Sequence, residues 1–207
     1  VLFFGGQQRP ATLRRVRLNQ SFLLEAPMKT FLLSTLVLTA MSGVVLAQSS
    51  QPLPIPDGQV ARDVPGAKEL PDPKMTYKVV FDIGTAAPKI GDANPGLTGV
   101  VRYLNTLAKF GVPPDHRRIA VVLHQNATEI ILNNETFKAR NEGHDNPNTA
   151  LIQQMKKAGI DFRVCGQSVL AHKIDPKTIL PEIELDEWAL TTIVNLQLRG
   201  YIRVGEN

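Results

Sequence analysis

The sequence predicts an α/β domain of three layers, α/β/α, built on a mainly parallel five-stranded sheet. Three observations carry this expectation. Strand-like apolar runs alternate with segments of helical period across residues 76–207. Ile119-Ala120-Val121-Val122-Leu123 is continuously apolar, as a strand covered on both faces requires. Glycines and prolines punctuate the elements where such an alternation needs turns.

Taken in order, Tyr77–Ile83 is the first strand, ended by Gly84 and a loop carrying Pro88 and Pro95. Leu97, Val100, Val101, Leu104, Leu107 and Ala108 then recur at helical spacing, and Gly111 ahead of Pro113-Pro114 stops that helix. Arg118–Leu123 is the second strand. A short helix is expected around Thr128–Leu132, then a polar surface loop from Asn133 to Asn146. Asn146-Pro147 reads as a helix start, asparagine at the N-cap and proline at the first helical position, and Gly159 closes that helix. Asp161–Val164 is the third strand and runs into Cys165-Gly166-Gln167-Ser168, where a helical turn begins. A fourth strand falls within Ile179–Leu185, with Pro181 favouring an edge position. Asp186 is the expected cap of a last helix, Glu187–Arg199, and Tyr201–Val204 closes the sheet. Trp188, Leu190, Ile193, Val194, Leu196 and Leu198 cover more than one stripe of that helix, which suits burial on two sides.

The front of the chain has a different character. Met28-Lys29, an uncharged run from Phe31 to Leu46 and the small-residue ending Val45-Leu46-Ala47 make a secretory signal peptide, residues 28–47, with cleavage expected after Ala47 and an uncleaved anchor, for which the run is short, as the alternative. No cysteine lies at that junction, so a lipid anchor is excluded, and no stable membrane insertion is expected after cleavage. The mature protein is therefore expected in a periplasm or outside the cell. Residues 1–27 are arginine-rich without apolar period and read as an upstream extension with no fold. Residues 48–75 hold six prolines and read as an extended, solvated leader, leaving 76–207 as the folded domain.

Charge divides the same way. The formal net charge is +4 over 207 residues, but residues 1–47 contain Arg9, Arg14, Arg15, Arg17 and Lys29 against Glu25 alone. The remainder is balanced, with no basic stripe interleaved with aromatics, so nucleic-acid binding is disfavoured. The single cysteine rules out an internal disulfide. No cofactor is expected: no G-x-G-x-x-G follows a strand, and the Gly84–Gly96 loop lacks the spacing of a phosphate cradle. His116, His144 and His172 are scattered without metal-ligand spacing, so no metal is expected either. Asn126-Ala127-Thr128 and Asn134-Glu135-Thr136 match the glycosylation sequon, which matters only on a eukaryotic secretory route.

In open α/β sheets, ligands gather at the carboxyl ends of the strands. Two positions there are candidates. His124, followed by Gln125-Asn126, ends the second strand and suits a base, an acid or a polar strand terminus. Cys165 ends the third strand before Gly166, where backbone N–H groups of a helical turn would favour a thiolate and Gln167 and Ser168 add donors. The same position also suits a buried, inert thiol, since free cysteines pack as small apolar residues.

Asn146-Pro147-Asn148 through Leu151, Ala158-Gly159-Ile160, Val164-Cys165-Gly166-Gln167-Ser168, His124 after its apolar strand, and Leu196-Gln197-Leu198-Arg199-Gly200-Tyr201 together resemble the DsrE/DsrF-like family of YchN type. The resemblance spans Tyr77 to Val204. It implies a five-stranded sheet between helices and assembly into a homo-trimer or hexamer. It further implies that Cys165 matches the cysteine which, in sulfur-relay members, carries a persulfide and passes its terminal sulfur to a partner protein. Such members work in the cytoplasm, whereas this chain carries an export signal. Three functions follow for comparison. In a sulfur carrier, Cys165 is the nucleophile, His124 assists proton movement, and Asn126, Gly166, Gln167 and Ser168 line the site. In a homo-oligomeric binding or assembly module, Cys165 merely packs. A redox sensor would use the same thiol by reversible oxidation.

Overall fold

In the computed structural model, residues 52–205 are described; the expected signal peptide, the segment before it and residues 48–51 lie outside them. The strands are β1 (Tyr77–Ile83), β2 (Arg117–Leu123), β3 (Asp161–Cys165), β4 (Ile183–Asp186) and β5 (Ile202–Gly205); the three inner ones are largely covered on both faces, and the two edge strands are mostly exposed. They pair in the order β4-β3-β2-β1-β5, every neighbouring pair parallel. The helices are α1 (Pro95–Lys109), α2 (Asn134–Arg140), α3 (Thr149–Lys157), α4 (Gly166–Ala171) and α5 (Ala189–Leu198). The expected fold class is thus the observed one, with a sheet that is parallel throughout.

The strand order fixes which face each helix covers. From β1 to β4 the chain steps in one direction, and right-handed crossovers place the connecting helices on one side. The larger core lies there, with Leu97, Leu104 and Ile152 of the helices against Ile119, Val121 and Phe162 of the sheet. The chain then crosses back to the far side of β1, and this return lays α5 on the opposite face. A smaller core forms beneath it, where Val80, Ala120, Val122 and Cys165 meet Ala189, Ile193 and Leu196. Small side chains on the strands let α5 approach closely. Only its inner stripe is buried: Leu190 is 51% and Leu198 81% exposed, beside the half-exposed Trp188 and Val194.

Several local expectations change in detail. The segment expected as loop, Asn133–Asn146, contains α2, capped by Asn133, whose side chain accepts from Thr136 N–H. A seven-residue helix anchored by one buried residue, Phe137, carries too little period to be read from sequence. Asn146 does not cap α3. Its amide turns inward to donate to the carbonyls of Ile130 and Leu132, and the helix starts at Thr149 behind Asn148. Asp186 is the last residue of β4 rather than a helix cap; its carboxylate accepts from the Thr192 hydroxyl, and Trp188 precedes α5. The fourth strand is an edge, as Pro181 ahead of it predicts.

The proline-rich stretch, expected as a solvated leader outside the core, instead packs on the domain and contributes Ile55 to its core. Ile55 is buried in the larger cluster. Asn105, fully buried on α1, accepts from Ile55 N–H and donates to the carbonyls of Ile55, Gly58 and Gln59. Lys109 adds an ion pair to Asp63 at 2.6 Å. Asn105→Ala removes every one of those side-chain bonds at once. The expected cost is about 2 kcal/mol for the buried groups left unpaired, with protease cleavage within residues 52–61 as the specific sign that the strap has come away. Cleavage no faster than in the wild type would mean that Ile55 and the contacts of Thr106 and Lys109 to Ala61 and Asp63 hold it without Asn105.

Candidate functional site

The carboxyl ends of β1, β2 and β3 present three reactive groups on the face that α5 covers. Side chains alternate along a strand, so Asp82 shares its face with Val80, His124 continues the face of Ala120 and Val122, and Cys165 falls in the same layer. The register brings them together. Leu123 pairs with Val164, so the next residues, His124 and Cys165, are neighbours on adjacent strand ends, about 4.8 Å apart as backbones. His124 keeps an extended backbone and its N–H donates to Ile83 O, prolonging the ladder one residue beyond β2.

Asp82 is 4% exposed, and a buried carboxylate needs partners. It has two. His124 Nε2 lies 2.5 Å from Oδ1, and Arg203 of β5 donates to Oδ2 from Nε at 2.8 Å and from Nη2 at 2.5 Å. Burial alone would raise the Asp82 carboxyl, but the hydrogen bonds and charges of His124 and Arg203 outweigh it and hold it below its ordinary value. Since that carboxylate only accepts, the ring proton facing it is on Nε2, which leaves Nδ1 to the rest of the site.

Cys165 is 3% exposed. Its Sγ accepts a hydrogen bond from Ala189 N–H at 3.3 Å. Ala189 is the first residue of α5, so the sulfur takes one of the amide donors that a helix start leaves unpaired. The expected donors from the Gly166 turn are replaced by this one from the facing helix. Cys165 and His124 line one cavity of about 280 Å³ with Gln125, Gln167, Ser168 and Trp188. A second cavity of about 250 Å³ exposes the other side of His124 together with Asp82, Arg203 and Trp188.

The remaining expected residues divide between building the site and standing apart from it. Gly166, the first residue of α4, lies close against the end of β4: a Cβ there would lie 2.7 Å from Asp186 O and 3.1 Å from Glu187 O. Ser168 Oγ accepts from Gln125 N–H at 3.0 Å, holding Gln125 at a φ of 48°, a conformation uncommon outside glycine. Gln167 donates to the Glu187 carbonyl and carboxylate and so ties α4 to the approach of α5. Asn126 belongs elsewhere. It lines a separate cavity with Glu129, Arg140 and His172, because the 3₁₀ turn Gln125–Ile131 carries it away from Cys165. Among the described residues no group of three or more His, Cys, Asp or Glu is placed to hold a metal. No helix among them is long and apolar enough to cross a membrane.

Sequence reasoning missed Asp82, Arg203 and Ala189. The first two left a trace: a carboxylate between Phe81 and Ile83 in a strand inside the sheet, and a guanidinium between Ile202 and Val204 in the edge strand beside it. A charge inside an apolar strand requires a counterpart on a neighbour. Ala189 left none, since any residue except proline supplies the same N–H.

A fully parallel sheet whose order reverses beside β1, with a thiol, an imidazole and a carboxylate gathered at its carboxyl edge, defines an α/β protein built around a single cysteine. The DsrE/DsrF-like family model matches residues 78–204, and the chain belongs to that family. Among solved structures, a protein of unknown function from Methanobacterium thermoautotrophicum is similar, with 18% identity and a TM-score of 0.47 over 63% of this chain and 99% of that one. No curated protein matches the chain.

Proposed function

We propose that the chain is an exported sulfur carrier: Cys165 Sγ takes a sulfane sulfur as a persulfide and hands its terminal sulfur to a partner protein. The observation that carries this reading is the setting of Sγ, which faces a cavity shared with His124 and receives the Ala189 N–H. An amide aimed at sulfur is the interaction that an anionic thiolate or persulfide uses, and a neutral packing thiol has no need of it. Export rests on the signal-peptide pattern of residues 28–47. The working form is a homo-oligomer, a trimer or hexamer, supported by the apolar outer face of α5 with Leu190, Val194 and Leu198 in solvent.

One observation favours a second reading. The near-complete burial of Cys165 within the apolar cluster beneath α5 is also how an inert thiol packs, and the protein would then be a binding or assembly module. Intact mass separates the two. After incubation with glutathione persulfide, the mature protein is expected to gain one sulfur, removable by reductant and absent in Cys165→Ser. Absence of the adduct, where a control thiol reacts, would select the module.

A further inference from the structure

We propose that Asp82 is a positioning residue for sulfur transfer: it fixes the His124 ring so that Nδ1 acts as the base for the Cys165 thiol. This rests on the reading of Cys165 as the persulfide site. The Asp82 carboxylate, buried and bound on both oxygens, cannot rotate without breaking the Arg203 fork or the His124 contact. Arg203 supplies a full counter-charge to the buried carboxylate, so Asp82 stays ionised whichever charge state the imidazole passes through. With Nε2–H given to Asp82, Nδ1 is the ring nitrogen left to exchange a proton, and no described residue hydrogen-bonds to it. The register sets Cys165 beside His124 at the adjacent strand end, and both residues line one cavity, so a water there or the bound donor can join Nδ1 to Sγ.

The step balances without a further reactant. Nδ1 takes the Cys165 S–H proton as Sγ attacks the terminal sulfur of a donor persulfide, R–S–SH. An Sγ–S bond forms, the donor S–S bond breaks with its electron pair on R–S⁻, and the imidazolium returns the proton to that thiolate. The products are Cys165–S–SH and R–SH. Other charged or titratable groups facing this region are His172 behind α4, Glu187 ahead of α5, and Arg163 with Asp186 at the β3–β4 edge.

Asp82→Asn is the informative substitution. An amide keeps the size of the side chain but presents N–H to Nε2, forcing the ring proton onto Nδ1, where it blocks the base. The expected result is a sulfur-loading rate from glutathione persulfide lower by roughly 10²-fold near neutral pH, the usual contribution of a placed base. The deficit shrinks in alkaline buffer as hydroxide takes over the proton. Equal rates for wild type and Asp82→Asn across the pH range would overturn the proposal. Should Asp82→Asn fail to fold, His124→Ala serves: slow loading restored by added imidazole supports the base role, and undiminished loading rejects it. Should the wild type take up no sulfur, the persulfide reading fails by itself. Iodoacetamide alkylation of Cys165 in the same variants then decides the dyad, slower alkylation sustaining it and equal alkylation refuting it.

Discussion

Asp82→Ala is expected to lower stability by about 3 kcal/mol at neutral pH, the lower end of the range for breaking a buried ion pair. The loss sits at the low end because Arg203, whose side chain is 39% exposed, can turn its charge toward water. His124, more enclosed, loses its hydrogen-bond acceptor. The effect carries a pH signature whose sign is fixed. The Asp82 carboxyl is held below its ordinary 3.8 in the folded protein. Its contribution is therefore complete above that value and is lost as pH falls through the lower folded one. Urea midpoints for wild type and Asp82→Ala should stand well apart at pH 7 and converge below about pH 4, near the unperturbed carboxyl value. A gap that stays constant into acid would mean that the side chain contributes through packing rather than through charge.

Gly166→Ala is expected to damage the site and the fold together. The new methyl would meet the backbone oxygens of Asp186 and Glu187 at 2.7 and 3.1 Å, and neither can swing aside as a side-chain tip would. Relief requires β4 and the start of α5 to move away from β3. Overpacking of this kind costs about 1–3 kcal/mol. Cys165 pairs with Asp186 at the end of the β3–β4 ladder and takes its hydrogen bond from Ala189, three residues further on. The same wedge therefore opens the enclosure of the thiol. Faster reaction of Cys165 with an aromatic disulfide reagent, beside a lowered urea midpoint, is the expected pair of results. A variant with wild-type thiol reactivity would show that the junction yields elsewhere.

Much of the fold was legible because it rests on local chemistry. The apolar run Ile119–Leu123, the helical spacing from Leu97 to Ala108 and the glycine stops at Gly111 and Gly159 each announce an element by period or backbone freedom. The same logic placed His124 and Cys165 at strand ends, where the order of elements alone points to a site. It failed at α2 and at Asn146, where one buried phenylalanine and two carbonyl acceptors across the chain override what the local residues prefer.

By itself, then, the sequence determined the alternation of strands and helices, the parallel sheet and the strand-end positions of the imidazole and the thiol, because periodicity and turn chemistry act over a few residues. Tertiary structure alone decided the rest. Asp82 and Arg203 lie 121 residues apart and meet only because β5 returns to the open side of β1. Ala189 reaches Cys165 only because that return carries α5 over the second face. Those contacts depend on strand order and register, and a pairing between distant segments leaves no period in either one for a reader of the sequence to find.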